Sequence, residues 1–141
     1  MVQITPNFNF DGHCREAMEF YRKAFNAQIS SLLLRGDAVW EPDHASLSEE
    51  ERQQVYHGEM MIGDQRIMMC DNMDVPFNPS GSLSLTVTLD TREAVMEAFG
   101  IMKEGGQIVY PPQRTAYSSC FARVIDRFGF SWVIMTEQTN Q

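Results

Sequence analysis

The chain has 141 residues, 43% of them hydrophobic, and its 11 Lys and Arg stand against 19 Asp and Glu for a net charge of -8. That length suits one ordinary domain with a closed core and leaves no room for two full-size domains. The acidic balance offers phosphates no cationic surface, so nucleic acid and anionic membranes are both poor partners.

Residues 3 to 10 alternate, sending Ile4, Phe8 and Phe10 one way and Thr5, Asn7 and Asn9 the other, as a half-buried strand requires. A helix follows, with Asp11 as its expected cap. Its apolar face recurs at Ala17, Met18, Tyr21, Ala24 and Phe25 until Asn26 offers a stop. Residues 28 to 34 read as a second strand. Residues 36 to 54 break the pattern with Trp40, Pro42 and the run Glu49-Glu50-Glu51, and Ser46 stands three before Glu49 as a candidate capping box. This insertion is either a solvated excursion with one short helix or a lid bearing Trp40 over a pocket or partner.

Strands are predicted at 55 to 62 and 66 to 71, joined at Gly63-Asp64, a strong hairpin signal. The same grammar then returns as a strand at 82 to 89, a helix at 91 to 104 stopped by Gly105-Gly106, and a strand at 107 to 110. Strands at 118 to 125 and 130 to 136 close the second copy around the turn Asp126-Arg127-Phe128-Gly129. One offset of 79 residues, the distance from Asp11 to Asp90, also relates Phe20 to Phe99, Gln28 to Gln107 and Ile29 to Ile108. The reading is a single α+β domain over 1 to 141, made of two βαβββ modules at 1 to 72 and 80 to 141.

No run of about 18 apolar residues is present, and the first residues lack the basic start and apolar stretch of a signal peptide, so a cytoplasmic protein is expected. Cys14, Cys70 and Cys120 are odd in number and widely spread, which suits reduced, packed thiols better than a disulfide or zinc framework. The ten methionines suit an adaptable pocket or ordinary core filling.

From Pro111 through Gln113, Thr115 and Tyr117 to Asp126-Arg127-Phe128-Gly129 and Trp132, the second half resembles the ending of PhnB-like proteins. These form a branch of the glyoxalase/bleomycin resistance/dioxygenase (vicinal oxygen chelate) superfamily. Phe10-Asp11-Gly12, Glu16-Ala17, Phe20-Tyr21 and the segment His57 to Gly63 extend the resemblance over nearly the whole chain. Where the family usually has Trp-Gly, this chain has Tyr117-Ser118. The resemblance implies two curved mixed sheets around a cleft with helices outside, a homodimer, and in catalytic members a divalent metal held by His and Glu of the first and last strands of each module.

The residues at those places are unpromising ligands: Thr5, Asn7 and Asn9 in the first strand, Ser82 and Ser84 in the fifth, Trp132 and Val133 in the last. Only His57 and Glu59 stand close enough to share a strand face, and two ligands hold a metal poorly. They are open to three readings: a hydrogen-bonded pair at a sheet end, a binding or acid–base pair, or metal ligands. His13 and His44 are expected on the surface. Ser82, Ser84, Thr86 and Thr88 form one polar row. With Asn7, Asn9, Trp40, His57, Glu59 and Tyr117 the row is a candidate lining for a small polar molecule, or is simply wet or covered by a partner subunit.

Some PhnB-like domains carry the label demethylubiquinone methyltransferase. Methyl transfer in doubly wound enzymes uses a Gly-rich turn between strand and helix, and this chain has no G-x-G. No cofactor is therefore expected, and a divalent metal is disfavoured. The expected function is binding of a small polar molecule without a complete metal site, with a metal-assisted lyase, isomerase or dioxygenase-type enzyme as the alternative.

Overall fold

A computed structural model of the chain describes residues 1–139. It falls into two compact units, Met1–Phe77 and Asn78–Gln141. The first contains β1 (Asn7–Phe10), α1 (Cys14–Phe25), β2 (Gln28–Leu34), the short helix α2 (Glu49–Arg52), β3 (Val55–Ile62) and β4 (Gln65–Asp71). The second contains β5 (Ser84–Leu89), α3 (Arg92–Met102), β6 (Gln107–Gln113), β7 (Cys120–Ile125) and β8 (Ser131–Thr136). Each unit holds one mixed four-stranded sheet, ordered β1-β4-β3-β2 in the first and β5-β8-β7-β6 in the second. The fold is the α+β arrangement expected from the sequence. Among the described residues no helix is long and apolar enough to cross a membrane.

The offset of 79 residues carries β2 onto β6 end for end. It also carries the register irregularity after Ile29 onto the one after Ile108. The repeat thus reaches down to a local break in strand pairing, a feature that re-aims side chains.

In the first unit α1 buries Ala17, Met18, Tyr21 and Phe25 against the sheet, whose inner face supplies Phe10, Met60, Ile67 and Met69. Full burial of side chains of this size contributes about 1.5–3 kcal/mol each. In the second, Val95, Ala98, Phe99 and Met102 of α3 are buried with Val124, Trp132 and Ile134. Asp126 closes the β7–β8 hairpin by accepting the Phe128 and Phe130 amides on Oδ1 and the Trp132 indole N–H on Oδ2.

Several expected ends and caps differ. β1 begins at Asn7, because Pro6 has no N–H for the ladder, and Ile4 is left exposed. Asp11 does not cap α1. The amides of Gly12 and Cys14 instead go to the carboxylate of Asp71, at the far end of β4. The capping box of α2 is Ser48 with Glu51, two residues beyond the expected Ser46. Thr91 caps α3, its Oγ1 accepting the Ala94 amide, although the offset from Asp11 points to Asp90. β5 starts at Ser84, so Ser82 precedes the strand. β6 runs on to Gln113 through Pro111 and Pro112, which an edge strand tolerates because half its amides need no ladder partner.

Candidate functional site

On β3, Gly58 and Met60 face α1. A Cβ on Gly58 would lie 2.8 Å from Met18 Sδ, so the tip of Met18 packs directly on the backbone at this position. Alternation then sends His57 and Glu59 to the opposite face. Leu33 pairs with His57 but Leu34 with Val55, leaving Tyr56 as an extra residue in β3. That bulge turns the Tyr56 ring outward beside His57. A cavity of about 530 Å³ opens here, its walls including Arg35, Glu41, Tyr56, His57, Cys70 and Asn72.

The insertion forms one wall and is fastened by polar contacts. Arg35 donates to Gln54 Oε1 at 2.7 Å and to Asp43 Oδ2 at 3.3 Å. The Tyr56 hydroxyl donates to Glu41 Oε1 at 2.6 Å, a bond that pushes the phenol pKa up and keeps it a donor. Trp40 meets the Tyr56 ring edge-on with centroids 5.9 Å apart, which places it at the rim, largely exposed. His44 is half-buried rather than free on the surface, its Nε2 lying 2.8 Å from the Gly36 carbonyl. His13 is exposed beside Glu16, as expected.

At the sheet wall His57 Nε2 lies 2.7 Å from Glu59 Oε2, and Arg66 Nη1 lies 3.4 Å from Glu59 Oε1. The hydrogen bond from His57 is the main reason that the Glu59 carboxyl sits below its ordinary pKa, with the Arg66 charge adding to it. In the tautomer whose Nε2–H donates to this carboxylate, Nδ1 is the ring's acceptor. Burial and the neighbouring Asp71 push the Cys70 thiol pKa up, which disfavours its thiolate.

The first sheet gathers Asn7, Asn9, His57 and Glu59 on one face, since Asn7 and Glu59 both pair with Met68 and Asn9 pairs with Cys70. Asn7 is exposed. The Asn9 amide is engaged with the chain after β4, accepting the Asn72 N–H at 2.9 Å and donating to the Asn72 carbonyl at 3.1 Å. The other candidates belong to the second unit. Ser84 and Thr86 pair with Ser131 and Val133. Ser82 donates its amide to Ser80 Oγ. Tyr117 is exposed, edge-on to Phe121. Sequence reasoning missed Arg35, Glu41, Tyr56 and Asn72 at the cavity, and nothing in the order of residues announces the bulge that brings Tyr56 in.

The divalent metal that the superfamily resemblance implies does not fit these residues. Among the described residues no group of three His, Cys, Asp or Glu side chains could hold an ion. Trp132, at one expected ligand place, is committed to Asp126.

The family described as 3-demethylubiquinone-9 3-methyltransferase matches residues 2–135. Protein YjdN of Escherichia coli is 27% identical, with 94% of each chain covered. Protein PA1353 of Pseudomonas aeruginosa is 26% identical with a TM-score of 0.83, over 99% of this chain and 100% of that one. A putative 3-demethylubiquinone-9 3-methyltransferase of Bacillus cereus, PhnB protein, is 25% identical with a TM-score of 0.79, over 96% and 99%. FosX, a fosfomycin resistance protein of Listeria monocytogenes, shares the fold alone, at 10% identity and a TM-score of 0.66 over 98% and 94%.

Proposed function

The chain belongs to the 3-demethylubiquinone-9 3-methyltransferase family, the PhnB-like branch of the vicinal oxygen chelate superfamily, and we propose that it binds a small polar molecule at the His57 cavity without a resident metal. The observation that supports this most is the His57–Glu59 pair at 2.7 Å on the wall of a cavity of about 530 Å³. Cavities of this size take small organic molecules, and a few fixed polar groups give them orientation. A ring whose Nε2 is already bound offers one acceptor in one direction, and Tyr56 and Asn72 add polar atoms beside it.

Methyl transfer, the activity in the family's description, finds little support here. The amides at the β1–α1 turn, where doubly wound enzymes approach their ligand, are taken by Asp71, and the sheet is mixed rather than parallel. The second reading is an enzyme that uses His57 and Glu59 as an acid–base pair, and the same 2.7 Å contact favours it. A metal-assisted version would show stoichiometric metal in protein purified without chelator, and that result would overturn the metal-free reading.

The test of binding is amide NMR with a panel of small polar fragments covering amides, acids, amines and sugars. Hits should move the resonances of Tyr56, His57, Cys70 and Asn72. His57→Ala should weaken them about ten-fold, the value of one lost hydrogen bond, with circular dichroism unchanged. Unchanged affinity in that variant, or hits that leave these resonances still, would sink the proposal.

A further inference from the structure

The offset of 79 residues relates Asn7 to Thr86 and Ser31 to Tyr110. In the first sheet Asn7 and Glu59 both pair with Met68, and Ser31 pairs with Glu59. In the second, Thr86 and Arg123 both pair with Val133, and Tyr110 pairs with Arg123. Arg123 thus occupies in β7 the place that Glu59 occupies in β3, and the two modules carry opposite charges at one position of the repeat.

Glu59 has a cationic partner in Arg66, but among the described residues Arg123 has no anionic one. Its Nε and Nη2 donate to Ser131 Oγ at 3.2 and 3.1 Å, and Nη2 donates also to the Gly81 carbonyl at 3.0 Å. Both acceptors are neutral. Among the described residues Arg123 makes no ion pair, although the chain holds 19 carboxylate side chains against 11 basic ones. A half-buried guanidinium without a counter-charge is costly, and this one is held in a fixed direction by its other hydrogen bonds. Among the described residues its Nη1 makes no hydrogen bond. Thr86 flanks Arg123 across Val133, and Tyr110 stands directly opposite it.

We propose that Arg123 is the anchor of an oxyanion site on the second sheet, taking a carboxylate or phosphoryl group on Nη1. Thr86 and Tyr110, which the strand register puts on the same face of the sheet, supply hydroxyls to the same anion. This site stands on the second unit alone and does not rest on the His57 cavity. It gives the hydroxyl row a charge that the row itself lacks: the group bound there is anionic.

The test is amide and Arg side-chain NMR of the full chain, titrated with inorganic phosphate and with acetate against chloride at matched ionic strength. Phosphate should move Thr86, Tyr110, Arg123 and Ser131 saturably, and trimethylammonium should not. Arg123→Gln should weaken phosphate at least ten-fold, and Arg123→Lys less. Because Arg123 also fastens Gly81, Thr86→Val serves as a second variant that leaves the strut intact, and it should weaken phosphate several-fold. The inference is overturned if phosphate gives no saturable shift, or if both Arg123→Gln and Thr86→Val bind it as the parent does. A shift that chloride reproduces equally also overturns it, leaving Arg123 as a structural strut only.

Discussion

The Asp71 carboxylate, at the end of β4, accepts the Cys14 amide at 3.0 Å and so caps a helix that lies 57 residues earlier in the chain. The same oxygen takes the Gly12 amide at 2.8 Å, and the second oxygen takes the Val55 amide at 2.9 Å. One buried side chain thereby ties the start of α1, the start of β3 and the end of β4. Asp71→Ala leaves these amides without their acceptor and should cost about 2–4 kcal/mol, read as a fall in the urea midpoint. Asp71→Asn keeps one oxygen and should cost less. Equal midpoints for parent and Asp71→Ala would contradict this.

Glu59 has a folded pKa below its unfolded value, so its interaction with His57 is fully present above the unfolded value of about 4.3 and is lost as the pH falls through the lowered one. Carbon NMR of the Glu59 carboxyl should therefore titrate below an ordinary glutamate. Nitrogen NMR of His57 near neutral pH should show the Nε2–H form, and Glu59→Gln should weaken that preference. A His57 ring in the Nδ1–H form would remove the acceptor that the proposed binding uses.

The strands and the apolar faces of both long helices were legible because they rest on periodicity, which is local. What escaped was set by distance along the chain or by a choice between adjacent residues. Asp11 looked like the cap of α1, yet a carboxylate from β4 reaches the same amides with better burial. Asp90 and Thr91 are both good caps, and only the strand end decides that Thr91 meets Ala94. The His57 and Glu59 pair was readable from strand alternation, but the cavity depends on how the insertion returns to Tyr56. Arg123 was invisible as a candidate because a lone arginine on a strand has meaning only once its partners are known.

The thiols should separate by accessibility. Cys14 is fully buried and Cys120 nearly so, whereas Cys70 is half-buried at the cavity wall. With a thiol reagent at pH 8, Cys70 should react first and Cys14 only on unfolding. Burial raises the Cys14 pKa above its unfolded value, so the folded thiol stays neutral while the unfolded one ionises above about 8.5. Stability should thus fall as the pH rises beyond that value. Cys14→Ala should flatten this alkaline slope, whatever its effect on the level. A slope unchanged in the variant would assign the loss to other groups.

Two glycines test how tightly each unit is packed. A Cβ on Gly106 would lie 2.2 Å from the Ile125 carbonyl oxygen and 3.0 Å from the Asp126 carbonyl carbon, atoms of backbone that close the β7–β8 hairpin. A Cβ on Gly58 would lie 2.8 and 2.9 Å from Met18 Sδ and Cε, the tip of a flexible side chain, and 3.3 Å from the Met69 oxygen. Backbone in a paired strand cannot move aside without breaking its ladder, whereas a methionine changes rotamer at small cost. Gly106→Ala should therefore destabilise the protein by about 2–3 kcal/mol or more, and Gly58→Ala by about 1 kcal/mol. Chemical denaturation of both variants reads the difference. Gly58→Val, which the Met18 tip cannot clear, should approach the larger loss, and the reverse order of Gly58→Ala and Gly106→Ala would refute the packing argument.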